Sequence, residues 1–290
     1  MRKTLDKSAQ PITIQTRINE LSSGRRETLR KVLQNPREFV LPSVRAAAAR
    51  LNIDPATLVR TVQRLGFESY RAFQNYLHGL SIANATSLDG MQNNVRDDSK
   101  DMDPLRITLD QDVKNLNEFY NGIDMQRLHA LARRIHTARR VLILGGDLAE
   151  NLVHYIEHHL TLIGLPVLAA TTVGRTLHIS RSFGKGDVVI AISFRRGLRQ
   201  TVEGLQRARA NGAYCVGITG TYLSPIARFT NEFFVASVES RSFIDSYVAP
   251  MALVNLILVA CGNYNRKETL RMLAVAAKEQ RDGFRWFDAE

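Results

Sequence analysis

The feature that most constrains the fold is a series of short apolar runs in the second half of the chain, separated by stretches of helical periodicity. The runs are VLIL (141–144), PVLAA (166–170), DVVIAIS (187–193), AYCVGIT (213–219) and EFFVA (232–236). Strands that are apolar at almost every position are covered on both faces, and parallel strands are joined by helical crossovers. The pattern therefore predicts an α/β domain with a parallel five-stranded sheet flanked by helices.

Helices are predicted before and between these strands. A first helix carries four apolar residues at helical spacing, Leu109, Val113, Leu116 and Tyr120. Further helices are predicted after Asp124 and at 148–163, 199–210, 245–261 and 266–280. Ligands of parallel sheets bind at the carboxyl ends of the strands, so the candidate binding loops are 145–151, 193–201 and 219–228.

The first 80 residues predict a small all-α unit that contains a helix-turn-helix. An alanine-rich helix, VRAAAARL, begins after Ser43, and Asp54-Pro55 marks the start of the next helix, because Asp caps a first turn and Pro fits the first helical position. The apolar stripe of that second helix consists of Leu58, Val62 and Leu65. Two helices joined by so short a turn are typical of a helix-turn-helix, whose second helix enters the major groove of DNA.

The predicted DNA-contacting side chains lie on the outer face of this helix pair. They are Ser43, Arg45, Thr57, Arg60, Thr61 and Arg64. Arg60 and Arg64 are one helical turn apart, so one can bind a guanine while the other binds a phosphate. An ordinary helical hairpin with a basic exterior is the alternative interpretation.

The charge distribution favours the same division of the chain. Residues 1–80 carry a net charge of +8, residues 81–104 a net charge of −3 and residues 105–290 a net charge of +6. A small, strongly basic unit followed by a larger unit with less net charge per residue favours a nucleic-acid partner. A solvated charged surface would give the same net charges. Segment 81–104 is rich in Asn, Ser and Asp and is predicted to be a linker.

The composition predicts a cytoplasmic location and no contact with a membrane. Cys215 and Cys261 lie in apolar stretches and are predicted to be buried free thiols in a reducing compartment. No signal peptide follows the first residues. The most apolar stretch, 248–261, is too short to span a bilayer and is interrupted by Pro250 and Asn255.

Several motifs, taken in order, carry a resemblance to a known family. They are LNIDPATLVRTVQRLGFESYRAFQNYL in the first half and RRVLILGG, GDVVIAISF, RQTVEGLQRARANGAYCVGIT and LSPIAR in the second. The chain resembles, over nearly its whole length, the RpiR family of bacterial transcription regulators, which join a helix-turn-helix to a SIS (sugar isomerase) domain. The resemblance implies a DNA-binding domain at 1–80, a linker at 81–104, and a SIS effector-binding and oligomerisation domain at 105–290. It also implies a homodimer or a homotetramer.

The resemblance further implies a phosphosugar effector, held by a GxGxS-like turn after the first strand and an SxSGxT turn after the third. Here the first turn reads Gly145-Gly146-Asp147-Leu148-Ala149, and the second reads Ser193-Phe194-Arg195-Arg196-Gly197-Leu198. Asp147 would repel a phosphate, whereas Arg195 and Arg196 attract anions and pair readily with carboxylates.

The candidate effectors are therefore a sugar acid, another small anion and a phosphosugar, and the departures favour the first two. The predicted effector-binding residues are Gly145, Gly146, Asp147, Ser193, Arg195, Arg196, Arg199 and Thr219. In the alternative interpretation, the Arg195 and Arg196 side chains face solvent or pair with Asp147 or Glu150.

Together, these features predict a sequence-specific transcription regulator, not an enzyme, whose binding to an operator in double-stranded DNA is modulated by a small anionic sugar-like effector. A sugar-phosphate isomerase of the same SIS fold is one alternative, and a sugar-binding module that controls an acidic protein partner is another. No metal or cofactor is predicted. The sequence HYIEH, from His154 to His158, has zinc-peptidase spacing but no evident third ligand, and is interpreted as a polar helix face or a subunit contact.

Overall fold

The structure is a computed structural model that describes residues 17–18, 21–84, 87–88, 91, 103–195, 197–221 and 224–281. The chain divides into two compact units, Met1–Ile82 and Ala83–Glu290. The described part of the first unit is helical, and the second unit is built around a sheet.

The helices of the first unit are α1 (Ser23–Gln34), α2 (Arg37–Val40), α3 (Val44–Arg50), α4 (Pro55–Arg64) and α5 (Tyr70–Asn84), the last of which ends just beyond the unit. Helices α3 and α4 are the predicted pair that begins after Ser43 and at Asp54-Pro55. Between α3 and α4 the chain turns through Asn52, whose φ of +54° lies in the left-handed region that Asn tolerates. Asp54 then caps α4, because its carboxylate accepts a 3.1 Å hydrogen bond from the amide N–H of Thr57.

The apolar stripe of α4 lies in the core of this unit, as its spacing predicts. Leu58, Val62 and Leu65 are buried, and they pack in one cluster with Phe73 and Leu77 of α5. The two helices are therefore held by a shared apolar core, which leaves the opposite face of α4 to carry the polar and basic residues.

The second unit contains a five-stranded parallel sheet with the strand order β2-β1-β3-β4-β5. Its strands are β1 (Val141–Leu144), β2 (Val167–Ala170), β3 (Val188–Ser193), β4 (Tyr214–Thr219) and β5 (Glu232–Val235). Its helices are α6 (Pro104–Gly122), α7 (Met125–Thr137), α8 (Ala149–Leu162), α9 (Val173–Ser180), α10 (Arg199–Ala210), α11 (Val248–Tyr264) and α12 (Arg266–Arg281), with a 3-10 helix at Pro225–Phe229. The predicted sheet flanked by helices is confirmed.

Alternate residues of each strand face opposite layers of helices. Val141 and Ile143 of β1 pack in the cluster that includes residues of α7, α8 and α11. Leu142 and Leu144 pack in a second cluster with residues of α10 and the 3-10 helix. Burial on both faces is the physical reason why these strands are apolar at almost every position.

Helix α6 has an unusual distribution of polarity. Phe119 lies in the core, but the apolar stripe of the helix faces outward, since Leu109 is 53% exposed and Tyr120 is 75% exposed. Its buried face includes Gln111 and Asn115, which are joined by a 3.0 Å side-chain hydrogen bond. The helical spacing of Leu109, Val113, Leu116 and Tyr120 is confirmed, but none of the residues that the structure describes covers the stripe.

No single helix in the described ranges has both the length and the hydropathy of a membrane span. Helices α11 and α12 meet these criteria only when taken together, and the pair is bent by 103°.

Candidate functional site

A cavity of about 210 Å³ opens where the order of the strands reverses, at the carboxyl ends of β1 and β3. Such a switch point is the usual ligand site of an open parallel sheet, because the loops that leave the two strands diverge to opposite faces. The described residues that line it are Gly146, Asp147, Leu148, Ala149, Ile192, Ser193, Phe194, Arg195, Gly197, Leu198, Thr201, Asp245 and Tyr247.

The loop after β1 comes close to the opposite wall. A Cβ atom on Gly146 would lie 2.9 Å from Cδ1 of Leu198 and 3.1 Å from the carbonyl oxygen of Thr171, so a side chain at this position would crowd its neighbours. Asp147 follows with a φ of +54°, a left-handed conformation that is uncommon for residues other than glycine. The backbone at this point places the Asp147 carboxylate at the mouth of the cavity.

The loop after β3 has a similar conformation. Arg195 has a φ of +53° and Gly197 a φ of +71°. Left-handed backbone at a non-glycine residue costs on the order of 1–3 kcal/mol and persists where the surrounding structure holds it. Among the described residues, three that are not glycine have a positive φ, and two of them, Asp147 and Arg195, line this cavity.

Arg195 forms an ion pair with Asp245, through a guanidinium nitrogen and a carboxylate oxygen. The two side chains are only 19% and 18% exposed. The alternative interpretation pairs Arg195 with Asp147 or Glu150, whereas the ion pair found here is with Asp245. Glu150 accepts a 2.9 Å hydrogen bond from the Thr171 hydroxyl.

Tyr247 lies beside this ion pair and stacks edge-to-face on Phe194, with ring centroids 5.3 Å apart. Burial raises the pKa of its phenol, the neighbouring carboxylates of Asp245 and Asp147 raise it further, and Arg195 opposes them. The phenol therefore stays protonated and can donate a hydrogen bond to a ligand.

The structure brings four of the predicted effector-binding residues together on the cavity wall: Gly146, Asp147, Ser193 and Arg195. Three others do not line it. Gly145 is buried behind the wall, and the Thr219 hydroxyl is used in a 2.8 Å bond to the carbonyl oxygen of Thr221. The Arg199 side chain is 89% exposed and lies 3.6 Å from Glu203, one turn along the same helix, so its assignment to the pocket is corrected.

Arg196, the eighth predicted residue, lies outside the described residues. Asp245 and Tyr247 were missed by the sequence reasoning. The rule that ligands bind at strand ends would have found them if it had been applied to the loop after β5 as well as to those after β1, β3 and β4.

A second candidate surface is the outer face of α4. Arg60 and Arg64 are exposed there, and Thr57 is half-buried. The prediction for Thr61 is corrected: it is 1% exposed, because it lies on the stripe of Leu58 and Leu65, and its hydroxyl donates a 2.8 Å hydrogen bond to the carbonyl oxygen of Thr57.

The remaining members of the predicted DNA surface belong to α3. Ser43 caps this helix through a 3.3 Å hydrogen bond from the amide N–H of Ala46 to its hydroxyl. Arg45 is exposed in the first turn of the helix.

The zinc-like spacing in α8 places His154 between two carboxylates. Its ring nitrogens lie 3.2 Å from Glu157 and 3.4 Å from Glu150. Glu157 also accepts a 2.8 Å hydrogen bond from the amide N–H of Ala169. In the parts of the chain that the structure describes, no three His, Cys, Asp or Glu side chains are grouped closely enough to hold a metal ion.

Part of the second unit is similar to a known domain family and to solved structures. Residues 134–260 match the family model of the SIS domain. The sugar isomerase domain of an RpiR transcription factor from Sphaerobacter thermophilus is 26% identical, with a TM-score of 0.57, over 60% of this chain and 98% of that one. The Vibrio vulnificus NanR protein complexed with ManNAc-6P is 18% identical, with a TM-score of 0.58, over 91% of this chain and 95% of that one.

Proposed function

We propose that this chain, which contains a SIS domain at residues 134–260, is a transcription regulator whose affinity for an operator is set by a small anionic sugar-like effector. Residues 1–80 would bind DNA, 81–104 would link the units, and 105–290 would bind the effector and form the oligomer. The effector would be a sugar acid or a phosphosugar, bound in the cavity at the ends of β1 and β3. The structure of similar fold that was solved with ManNAc-6P, that of NanR, supports this class of ligand.

One observation carries the DNA-binding part of the proposal. Arg60 and Arg64 are exposed on a helix whose opposite face is fixed in an apolar core, and that helix follows α3 after a turn of four residues. An α-helix fits into the major groove, where arginines one turn apart can bind guanine edges and phosphates. The net charge of +8 over residues 1–80 supplies the general attraction to DNA.

Selection of bound duplexes from a random DNA library tests the proposal without knowledge of the operator. We expect the wild-type protein to enrich a pseudo-palindromic sequence, because two-fold-related subunits bind two half-sites. The double variant Arg60→Ala/Arg64→Ala should bind the enriched duplex at least about 30-fold more weakly, given about 1–3 kcal/mol for each of two contacts.

The matched control is Arg266→Ala/Lys267→Ala, which removes the same charge from the exposed start of α12. The control should retain nearly all of the affinity. Equal loss in both double variants would mean that binding depends on charge alone and would refute a specific role for α4. A library from which no sequence is enriched would refute the proposal as a whole.

The outer face of α6 supports the expected oligomer. Leu105, Leu109, Val113 and Tyr120 are exposed along it, and Leu116 lines a groove of about 480 Å³ with Tyr247 and residues of α11. An exposed apolar stripe of this length is stabilised when a second copy covers it. Sedimentation equilibrium should give a dimer or a tetramer; a monomer at micromolar concentration would contradict this part of the proposal.

A further inference from the structure

We propose that Asp245 occupies, in the free protein, the position on Arg195 that the anionic group of the effector takes when it binds. Binding would then exchange one anion for another on the same guanidinium and release the segment that carries Asp245. This inference rests on the proposed function only in its assumption of an anionic ligand in the cavity. It assigns to Asp245 the role of an internal competitor that sets the affinity and the specificity of the site.

The position of the ion pair supports exchange. Both side chains lie in the wall of the cavity and are about four-fifths buried. A guanidinium presents its donors in a planar fork that fits carboxylates and phosphates equally well. A ligand anion that reaches Arg195 can therefore form the same bonds that Asp245 forms now.

The segment that carries Asp245 is suited to move. Residues 237–247, which we call the strap, join β5 to α11 and contain no helix or strand. Phe243 and Ile244, just before Asp245, are exposed apolar residues that little of the unit covers. Val238 and Ser246 are buried and are joined by a 3.2 Å hydrogen bond, so the part suited to move is the more exposed run between them. The ion pair to Arg195 joins the end of that run to the cavity wall.

The size of the cavity also points to a displaced strap. Its volume is about 210 Å³, whereas pockets that bury a small organic ligand are commonly about 300–1,000 Å³. Asp245 and Tyr247, at the end of the strap, form part of the wall. A sugar with an anionic group gains both space and a cationic partner if this part of the wall withdraws.

Two features connect the strap to α6, one on its buried side and one at the edge of its apolar face. The Asn115 side chain, on the buried side of α6, donates a 2.7 Å hydrogen bond to the carbonyl oxygen of Glu239 in the strap. Tyr247 lines the effector cavity and also the groove that includes Leu116. Movement of the strap would therefore alter the surface that we expect a second copy to cover, which gives the effector a route to the arrangement of the subunits.

The test measures the affinity of the full-length protein for inorganic phosphate by isothermal titration at constant ionic strength. Asp245→Asn removes the competing carboxylate but keeps its shape. We expect this variant to bind phosphate at least about ten-fold more tightly than the wild type. This factor corresponds to the gain of one charge-assisted hydrogen bond.

Two matched variants separate competition from simple loss of negative charge. Asp147→Asn removes a carboxylate from the same cavity that is not on Arg195, and it should tighten binding less than three-fold, as a through-space charge effect at an exposed site. Asp245→Asn/Arg195→Gln should lose the gain entirely, because the guanidinium is absent. Equal effects of Asp245→Asn and Asp147→Asn would overturn the proposal, as would a gain that survives the loss of Arg195.

Hydrogen exchange provides a second readout, which reports on the strap itself. Saturating phosphate should increase amide exchange in residues 237–247, and Asp245→Asn should show the same increase without phosphate. Unchanged or slower exchange in the strap would overturn the proposal. These outcomes are independent of DNA: failure to enrich an operator would remove the proposed function and leave the exchange of anions standing.

Discussion

Strand β3 has an arginine–aspartate cluster at each of its ends, and the two clusters differ in almost every physical respect. At the amino end, Asp187 is fully buried and accepts hydrogen bonds from Arg139 at 2.9 and 2.8 Å, from Arg140 at 3.4 Å and from the amide N–H of Gly184 at 2.9 Å. At the carboxyl end, Asp245 pairs with Arg195 in the wall of a cavity.

The difference shows that an arginine–aspartate pair can stabilise the fold in one place and be suited to ligand exchange in another. The Asp187 carboxylate is surrounded by donors whose positions are fixed by β1, β3 and the turn before β3, so no other anion can replace it. Asp245 lies on an irregular segment and faces open space, so its place can be taken by a ligand. We expect the amino-end cluster to determine stability and the carboxyl-end pair to determine ligand affinity.

The largest effect is expected from the substitution Asp187→Ala. It leaves two guanidinium groups without their shared carboxylate and should lower the free energy of unfolding by about 3 kcal/mol, measured by urea denaturation. Asp110→Ala, which breaks an exposed pair with Arg106 on α6, is the control and should cost less than about 0.5 kcal/mol. If the two variants lost equal stability, the amino-end cluster would not be structural in the sense described here.

Acid should weaken the same cluster in a defined pH window. Burial alone would raise the pKa of Asp187, but hydrogen bonds from Arg139, Gly184 and Arg140 outweigh it and lower the pKa from 3.8 to about 2. Because the pKa of the folded state is the lower one, the stabilisation is complete above pH 3.8 and is lost as the pH falls towards 2. Its size is about 2 kcal/mol.

The variant Asp187→Asn has no such titration, so its stability should approach that of the wild type as the pH is lowered from 6 to about 2.5. Urea denaturation across this range measures the difference. Parallel curves for the two proteins would show that the carboxylate is not held by its partners.

The smallest effect on stability is expected at the other end of β3. Asp245→Ala should cost about 1 kcal/mol or less, because the pair lies beside a cavity that water enters and on a segment without regular structure. The same denaturation experiment checks it. A loss as large as that of Asp187→Ala would make Asp245 a structural residue and would remove the contrast between the two ends.

The strands could be predicted because burial on both faces requires continuous apolar runs, such as VLIL and DVVIAIS, that are visible in the sequence. Helix α9 was not predicted, since two of its buried residues are Thr176 and Ser180 and it shows no clear apolar stripe. Thr61 is predicted on the exposed face of α4 because it carries a polar hydroxyl. Its spacing from Leu58 and Leu65 instead places it on the buried face.

The candidate site could be predicted only in part. The strand-end rule located Asp147, Ser193 and Arg195 correctly. The pairing of Arg195 with Asp245 joins two irregular loops that are 50 residues apart, and no local periodicity specifies such a contact. The outward orientation of the apolar stripe on α6 was likewise not predictable, because spacing gives the face of a helix and not what covers it.

The most direct test of the proposed regulation is to measure whether DNA and the effector change each other's affinity for the protein. The affinity for the selected duplex would be measured with and without each member of a panel of sugar acids and phosphosugars. We expect at least one of them to change the duplex dissociation constant by about five-fold or more, and the duplex to change the dissociation constant of that sugar by the same factor. A sugar that binds the cavity and leaves the affinity for DNA unchanged, with no other member of the panel altering it, would contradict the central claim.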